Sequence, residues 1–269
     1  MRPRSRERSV NSNLQATGST GRGTLPVRNA LSNPERLDVI AVGAHPDDVE
    51  IACGGTLAKL VRQGYRVGII DLTDGEPTPG SPGRDHRLGE ARRAAEVLGV
   101  HERIQLDLPN RRLFDDFGNR VLLAKEFRRW RPRLVIGFGA KTPMASPDHY
   151  QASLLTDAAI FYSRLSKWEE YFGDLEVHAI PRQLYFRLAF EPDVMHTESH
   201  HVTVDIAETL DTKIESILCY QSQFSTKPNI AERVRAAAIV TGTLAGVTAG
   251  EVFVAPKPFA VDDLMEFIQ

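Results

Sequence analysis

Short apolar runs of strand length alternate with amphipathic stretches of helix length from residue 37 onward. Strand-like runs lie at 38–42, 66–72, 103–106 and 134–138, and helical patterns separate them at 55–63, 85–98 and 119–130. Strands that alternate with helices of this length are typical of βαβ units, so we expect a parallel sheet with right-handed crossovers. Gly64 and Gly99 stand where helix C-caps are expected.

The second half of the chain continues the pattern with shorter elements. It predicts a long helix from residue 149 to about 165, strands over 182–188 and 201–205, helices over 207–220 and 230–244, and a last strand over 251–255. The predicted fold class is α/β: a Rossmann-like, mostly parallel sheet flanked by helices, with a C-terminal portion that closes over the ligand site. A chain of 269 residues with 42% apolar residues can bury one core of this size.

The first 36 residues differ from the rest of the chain. They hold seven arginines and two glutamates, are rich in Ser, Asn, Gly and Pro, and lack the continuous apolar run of a secretory signal. Such a segment cannot bury enough apolar surface to order itself. We expect a disordered basic tail over 1–36, or an upstream mis-assigned start, and a single domain over 37–269.

Charge and cysteine usage narrow the class of protein further. A net charge of −2 gives no reason to expect nucleic acid or an anionic membrane as a partner. Cys53 and Cys219 are the only cysteines, which is too few for a disulfide framework and favours a reducing cytoplasm. No apolar run approaches the ~18 residues that a membrane span needs.

The turn that follows the first strand concentrates the candidate chemistry. Residues 44–50 read Ala-His-Pro-Asp-Asp-Val-Glu, at the sheet edge where open α/β proteins hold ligands. His45 and Asp48 are spaced to point at one metal ion, and Asp47 then stays available as a base. The expected third ligand is His149, which follows the fourth strand. Two histidines and one aspartate leave a coordination position open, as in catalytic zinc sites, and they also suit ferrous iron.

Other interpretations of this turn carry less weight. Pro46 can fix the backbone while the aspartates cap a helix that begins near Gly54. A dinucleotide site needs Gly-x-Gly-x-x-Gly directly after the first strand, whereas this turn carries two acidic groups that would repel a phosphate. A metal-binding or sensing protein without catalysis stays open as the alternative function.

Further motifs agree with a metal-dependent enzyme. The chain has Cys-Gly-Gly-Thr-Leu at 53–57, Asp-Leu-Thr-Asp-Gly-Glu at 71–76, Arg-x-x-Glu-Ala at 87–91, Val-x-Val-Asp-Ile at 202–206 and Tyr-x-Ser-Gln-Phe at 220–224. Together with the His-Pro-Asp-Asp turn, these motifs resemble the LmbE/PIG-L family of zinc-dependent de-N-acetylases over roughly 37–256. Within it, the chain is most similar to the bacillithiol-biosynthesis deacetylases, which act on N-acetylglucosaminyl malate.

The resemblance implies a function and roles for individual residues. It implies a hydrolase that removes the acetyl group from a small N-acetylated glucosaminide, with zinc on the three ligands and Asp47 as general base. The hexamers of the family imply a homo-oligomer. Arg87 takes the position of a substrate-binding arginine, with an exposed arginine paired to Glu90 as the alternative. Glu76 is expected at the substrate side, anchoring the loop over the site.

One position departs from the family pattern. Ser146 stands where the family has a histidine that protonates the departing amine and stabilises the oxyanion, and serine cannot shuttle a proton as imidazole does. Asp148 would orient that histidine and is expected here to bond Ser146 or a backbone amide. The loss predicts a slow or inactive enzyme unless another group substitutes, and the candidates are His196, His200 and His201. Asn110 stands where the family often has an aspartate. This change and the neighbouring Arg111 make the family pattern a weaker guide to the particular substrate.

Overall fold

A computed structural model describes residues 36–188 and 200–260 of the chain. Its sheet has seven strands: β1 (Val39–Gly43), β2 (Val67–Thr73), β3 (Glu102–Leu108), β4 (Leu134–Phe138), β5 (Arg182–Phe186), β6 (His201–Asp205) and β7 (Gly250–Val254). Their order is β3-β2-β1-β4-β5-β7-β6. The first five strands are parallel, and β7 runs antiparallel to both β5 and β6. The predicted α/β fold is therefore confirmed.

Helices connect the strands and pack on the sheet. They are α1 (Asp48–Arg62), α2 (Arg84–Leu98), α3 (Phe117–Trp130), α4 (Pro147–Ser163), α5 (Glu169–Phe172), α6 (Leu210–Leu218), α7 (Gln221–Phe224) and α8 (Ile230–Leu244). Every residue of β1 and β2 is buried, as expected for parallel strands covered on both faces. A second apolar cluster joins α1 and α2 to α6, α7 and α8. The C-terminal helices thus pack against the elements that follow β1 and β2.

The start of α1 differs from the sequence-based expectation. The helix begins at Asp48 rather than near Gly54, and its course is interrupted at Cys53, whose φ of −141° is not helical. The interruption explains why the sequence analysis placed the start of α1 too late, because the helical pattern in the sequence is continuous only after Cys53. The capping interpretation of the turn is also not supported: Asp47 precedes the helix in a left-handed conformation, and its side chain makes no capping hydrogen bond.

The remaining differences are small. The helices α5 and α7 were not predicted, since four residues are too short for a periodic pattern. Gly99 ends α2 in the expected left-handed conformation. The predicted basic tail falls on residues 1–36, which lie outside the described residues apart from Arg36. Among the described helices, none has the length and apolar character required to cross a membrane.

The sheet order fixes where a ligand site forms. The chain runs outward from β1 through β2 to β3, and then returns to add β4 on the other side of β1. The carboxyl ends of β1 and β4 therefore open onto the crevice where strand order reverses, which is the general binding position in open α/β sheets.

Candidate metal and catalytic site

The three predicted metal ligands meet at this crevice. His45 lies in the turn after β1, Asp48 is the first residue of α1, and His149 lies in the first turn of α4, which follows β4. Their ligand atoms all lie within 4.8 Å of one another. Two adjacent strand ends thus bring together residues about a hundred positions apart in sequence.

Neighbouring groups orient both imidazoles. His149 Nδ1 lies 2.8 Å from the Thr142 hydroxyl, and its ring stacks on Phe138 with centroids 4.6 Å apart. His149 Nε2 is then directed at Asp48 Oδ1, at 3.4 Å. His45 Nε2 lies 3.3 Å from Asp148 Oδ2, and its Nδ1 is 3.3 Å from Asp48 Oδ2. In each ring, one nitrogen contacts an outer partner, Thr142 or Asp148, and the other nitrogen faces the Asp48 carboxylate. Histidine metal ligands usually have such an outer partner.

The electrostatics of the ligands suit a cation. Burial alone would raise the pKa of Asp48, but contacts with His149 and His45 hold it well below its usual range. Burial alone would lower the pKa of His45, but Asp48 and Asp148 raise it to about 10. A protonated imidazole cannot bind a metal, so a divalent cation must displace a proton from His45 on binding. Two imidazoles and one carboxylate are a donor set that fits Zn²⁺ or Fe²⁺.

Asp47 lies beside the three ligands but faces another way. Its φ of 113° is unusual for a residue with a side chain, and such strained residues cluster at functional sites. Its carboxylate is 13% exposed and lies 3.4 Å from Arg87 Nη2. Burial raises the pKa of Asp47 to about 7, against the opposing effect of the Arg87 guanidinium. A carboxylate with this pKa is suited to accept a proton near neutral pH.

Arg87 does not adopt the position expected for a substrate-binding residue. The side chain has no exposed surface and does not line the cavity above the ligands. It donates to the Pro46 carbonyl and lies over the Tyr220 ring, 5.0 Å from its centroid. The alternative, an exposed arginine paired with Glu90, holds only in part: Arg87 Nη1 lies 3.7 Å from Glu90 Oε2, but the arginine is buried. Arg87 instead stabilises the His-Pro-Asp-Asp turn from beneath, next to Asp47.

Ser146 and Asp148 differ in their surroundings from the family expectation. The Ser146 hydroxyl accepts a hydrogen bond from the Asp148 amide at 3.3 Å and caps α4. The Asp148 carboxylate accepts from the backbone amides of Arg111 at 2.6 Å and Leu113 at 3.3 Å, besides contacting His45. The Asp148 carboxylate therefore contacts the candidate metal ligand His45, and not the side chain at position 146.

The cap at Ser146 leads to a stability prediction. Ser146→Ala is expected to lower the free energy of unfolding by about 1 kcal/mol, because the α4 N-terminus loses its side-chain acceptor. Ser146→Gly is the matched control. It should lower the free energy of unfolding by only about a few tenths of a kcal/mol, since glycine is itself a good N-cap. Urea unfolding of the two variants measures the difference. Equal stability of Ser146→Ala and wild type would show that the hydroxyl is not a cap.

Two of the three histidines expected to replace the missing acid, His200 and His201, are described by the structure, and neither is brought to the site. His201 lies in β6 opposite Val254, and neither His200 nor His201 lines the cavity. His196 lies outside the described residues. Among the described histidines, only the two candidate ligands line the cavity.

The loop after β2 forms part of the rim. The Glu76 carboxylate accepts from the Thr78 amide at 3.0 Å, and the Asn110 side chain donates to the Glu76 carbonyl at 2.9 Å. Glu76 thus fixes the conformation of its own loop, while Asn110 lines the cavity and Glu76 does not. A direct contact between Glu76 and substrate stays a prediction.

A cavity of about 520 Å³ opens above the candidate ligands. Its floor contains Asp47 and the three ligands, and the C-terminal portion supplies part of its wall through residues 223–233. Three cationic side chains, Arg111, Lys227 and Arg233, also line it. Sequence reasoning gave Arg111 no place in the cavity wall and missed Lys227 and Arg233. It also missed Thr142 and Phe138, which contact the His149 ring. No motif marks these residues, and only the fold brings them together.

Comparison with known proteins agrees with this geometry. Residues 40–160 match the family model described as PIG-L, GlcNAc-PI de-N-acetylase. This range contains all three candidate ligands and Asp47. Over this range the chain is similar to the PIG-L family.

Individual relatives extend the match beyond that range. A conserved protein from Thermus thermophilus has a crystal structure that superposes with a TM-score of 0.73 at 33% identity, covering 85% of this chain and 98% of that one. The diacetylchitobiose deacetylase of Thermococcus kodakarensis is 29% identical over 195 residues, 69% of this chain and 70% of the relative. The 4-oxalmesaconate hydratase of Pseudomonas putida is 25% identical over 205 residues, 71% of this chain and 76% of the relative. Since the relatives of the chain include a deacetylase and a hydratase, the reaction has to be argued from the site.

Proposed function

We propose that the chain is a metal-dependent deacetylase of the PIG-L type, which removes the acetyl group from an N-acetylglucosamine-type small molecule. The observation that carries the proposal is the cluster of His45, Asp48 and His149 within 4.8 Å, with the carboxylate of Asp47 on the same cavity floor. Zn²⁺ is the favoured ion, and Fe²⁺ suits the same donors.

The substrate class is supported by the relatives and by the cavity. Both the family description and the Thermococcus relative's name refer to N-acetylated glucosamine units. The cations Arg111, Lys227 and Arg233 along the wall favour a substrate with an acidic substituent. N-acetylglucosaminyl malate, the substrate of the bacillithiol branch, carries two carboxylates and is the specific candidate.

The reaction can be followed through the residues of the chain. A divalent cation at the three ligands supplies Lewis acidity, which makes an amide carbonyl more electrophilic and water more acidic. The Asp47 carboxylate accepts the proton of the attacking water as the new C–O bond forms. When the C–N bond breaks, the amine needs a proton, and protonated Asp47 is the acid beside it, because the described residues bring no further imidazole to the cavity. Acetate and the free amine leave.

Arg87 has a positioning role in this scheme that can be measured. Arg87→Met is expected to lower kcat by about tenfold or more while KM changes little, because the side chain lies beneath Asp47 and does not line the cavity. Steady-state kinetics on an N-acetylglucosaminide give both constants. Arg84→Met, on the exposed side of the same helix, is the control and should leave both unchanged. A rise in KM at constant kcat in Arg87→Met would restore the substrate-binding role.

Acetate release by the purified chain tests the proposed function. N-acetylglucosamine, diacetylchitobiose and N-acetylglucosaminyl malate are each incubated with zinc-loaded protein and with protein treated with a chelator. Release that requires zinc, and is fastest on the malate compound, is the expected result. Bound zinc without release from any of the three would favour the metal-binding alternative, and protein that binds no divalent cation would contradict both.

A further inference from the structure

The interruption of α1 divides the helix into two segments with different tasks. The first segment, residues 48–52, carries the candidate ligand Asp48, and the second, residues 54–62, packs in the core. A helix end leaves carbonyls or amides without partners inside the helix, so an interruption creates such groups on both of its sides. Buried polar groups of this kind need other partners.

Two charged side chains from the C-terminal portion supply those partners. Glu251 of β7 accepts from the Gly55 amide at 3.0 Å through Oε1 and from the Thr56 amide at 2.7 Å through Oε2. Lys213 of α6 lies 2.5 Å from Glu251 Oε1 and donates to the Ala52 carbonyl at 3.4 Å. The carboxylate thus caps the start of the second segment and the ammonium lies at the end of the first, as the helix dipole favours at each end.

The two charged side chains at the interruption are almost completely buried, so they depend on the partners that they find there. Glu251 is 4% exposed and Lys213 is 2% exposed, and a buried charge is costly unless it is paired and hydrogen-bonded. The packing is also close at Gly55, where a Cβ would lie 2.8 Å from Ile206 Cδ1 and 3.1 Å from Glu251 Oε1. A side chain at that position would push the carboxylate away from the amides that it caps.

We propose that Glu251, neutralised by Lys213, is a positioning residue for the metal site. It holds the interruption of α1 and so sets the direction of the first segment, which places the Asp48 carboxylate between His45 and His149. Those contacts are 3.3 and 3.4 Å long. The distances from a metal ion to its ligands have to fall within about 0.2 Å of their usual values, so the direction of Asp48 matters for binding. This inference rests on the cation site of the proposed function, but does not depend on the reaction or its substrate.

Zinc affinity, measured by competition with a chromophoric chelator, tests the inference. Glu251→Gln keeps the size of the side chain but presents an NH₂ group to one of the two amides. We expect zinc binding about tenfold weaker than in wild type, at the lower end of what changes around metal ligands cost. Arg128→Met is the matched control: this buried arginine of α3 donates to the carbonyls of Ser163 and Leu175, on elements that carry none of the contacts at the α1 interruption. It should lower the unfolding temperature and leave zinc affinity unchanged.

A second variant covers the case in which Glu251→Gln fails to fold. The double variant Lys213→Met/Glu251→Leu removes both buried charges, which proteins often tolerate, and it also removes both caps. It should fold and show the same loss of zinc affinity. Wild-type affinity in the variants that fold, or an equal loss in Arg128→Met, would overturn the positioning role and leave the proposed function intact. A wild-type chain that binds no zinc would overturn both.

Discussion

Asp47→Asn is expected to lower turnover by at least about 10²-fold while the zinc content stays at one ion per chain. Asparagine is nearly isosteric with aspartate, so the turn should keep its conformation and the side chain should stay next to Arg87 Nη2, which lies 3.4 Å from Asp47. The amide cannot accept a proton from water, and general-base assistance is lost. Acetate release at saturating substrate, with metal analysis of the same sample, measures both quantities.

The control for this change is Asp211→Asn, on the exposed side of α6, where the side chain is 87% exposed. Turnover of this variant should equal that of wild type. If metal content falls together with activity in Asp47→Asn, then Asp47 is a ligand, and the roles of the two adjacent aspartates have to be exchanged.

His149→Ala is expected to abolish tight zinc binding and, with it, all deacetylation. The variant keeps only His45 and Asp48, and two protein ligands are fewer than catalytic zinc sites use. The matched control is His178→Ala, because His178 is half-buried and bonds the Pro132 carbonyl at 2.7 Å, outside the cavity. Equilibrium dialysis against zinc compares the two variants. Wild-type zinc content in His149→Ala would refute the ligand assignment.

The fold and the grouping of the three candidate metal ligands follow from local signals in the sequence. Apolar runs of strand length mark β1 and β4, and polar residues that follow them have to appear at one edge of a parallel sheet. His45 and Asp48 were predicted on that basis, and His149 follows because β4 lies next to β1. Residue spacing also gave most helices, since each has a continuous apolar face long enough to recognise.

The direction of individual side chains could not be predicted in the same way. Arg87 has the sequence position of a surface helix residue, yet packing of α2 against α6 and the His-Pro-Asp-Asp turn buries it completely. A bond from Asp148 to a backbone amide was one of two expected alternatives, but the sequence indicated neither which amides, those of Arg111 and Leu113, nor the contact with His45. These contacts arise only when distant elements pack together.

The interruption of α1 shows the same limit. Glycines at 54 and 55 suggest a helix start, and the sequence analysis placed it there, although the helix already begins at Asp48. The groups that compensate the interruption, Lys213 and Glu251, come from elements more than 150 residues further along the chain. No local pattern connects them to the metal site.

Crystals of the zinc-loaded protein, measured at the zinc absorption edge, test the central claim most directly. An anomalous difference map should show one peak per chain, between His45, Asp48 and His149, with nitrogen and oxygen ligands at about 2.0–2.2 Å. Asp47 should lie outside the coordination sphere, with its carboxylate facing the cavity. A peak bound through Asp47 in place of Asp48, or no peak among these three residues, would contradict the account.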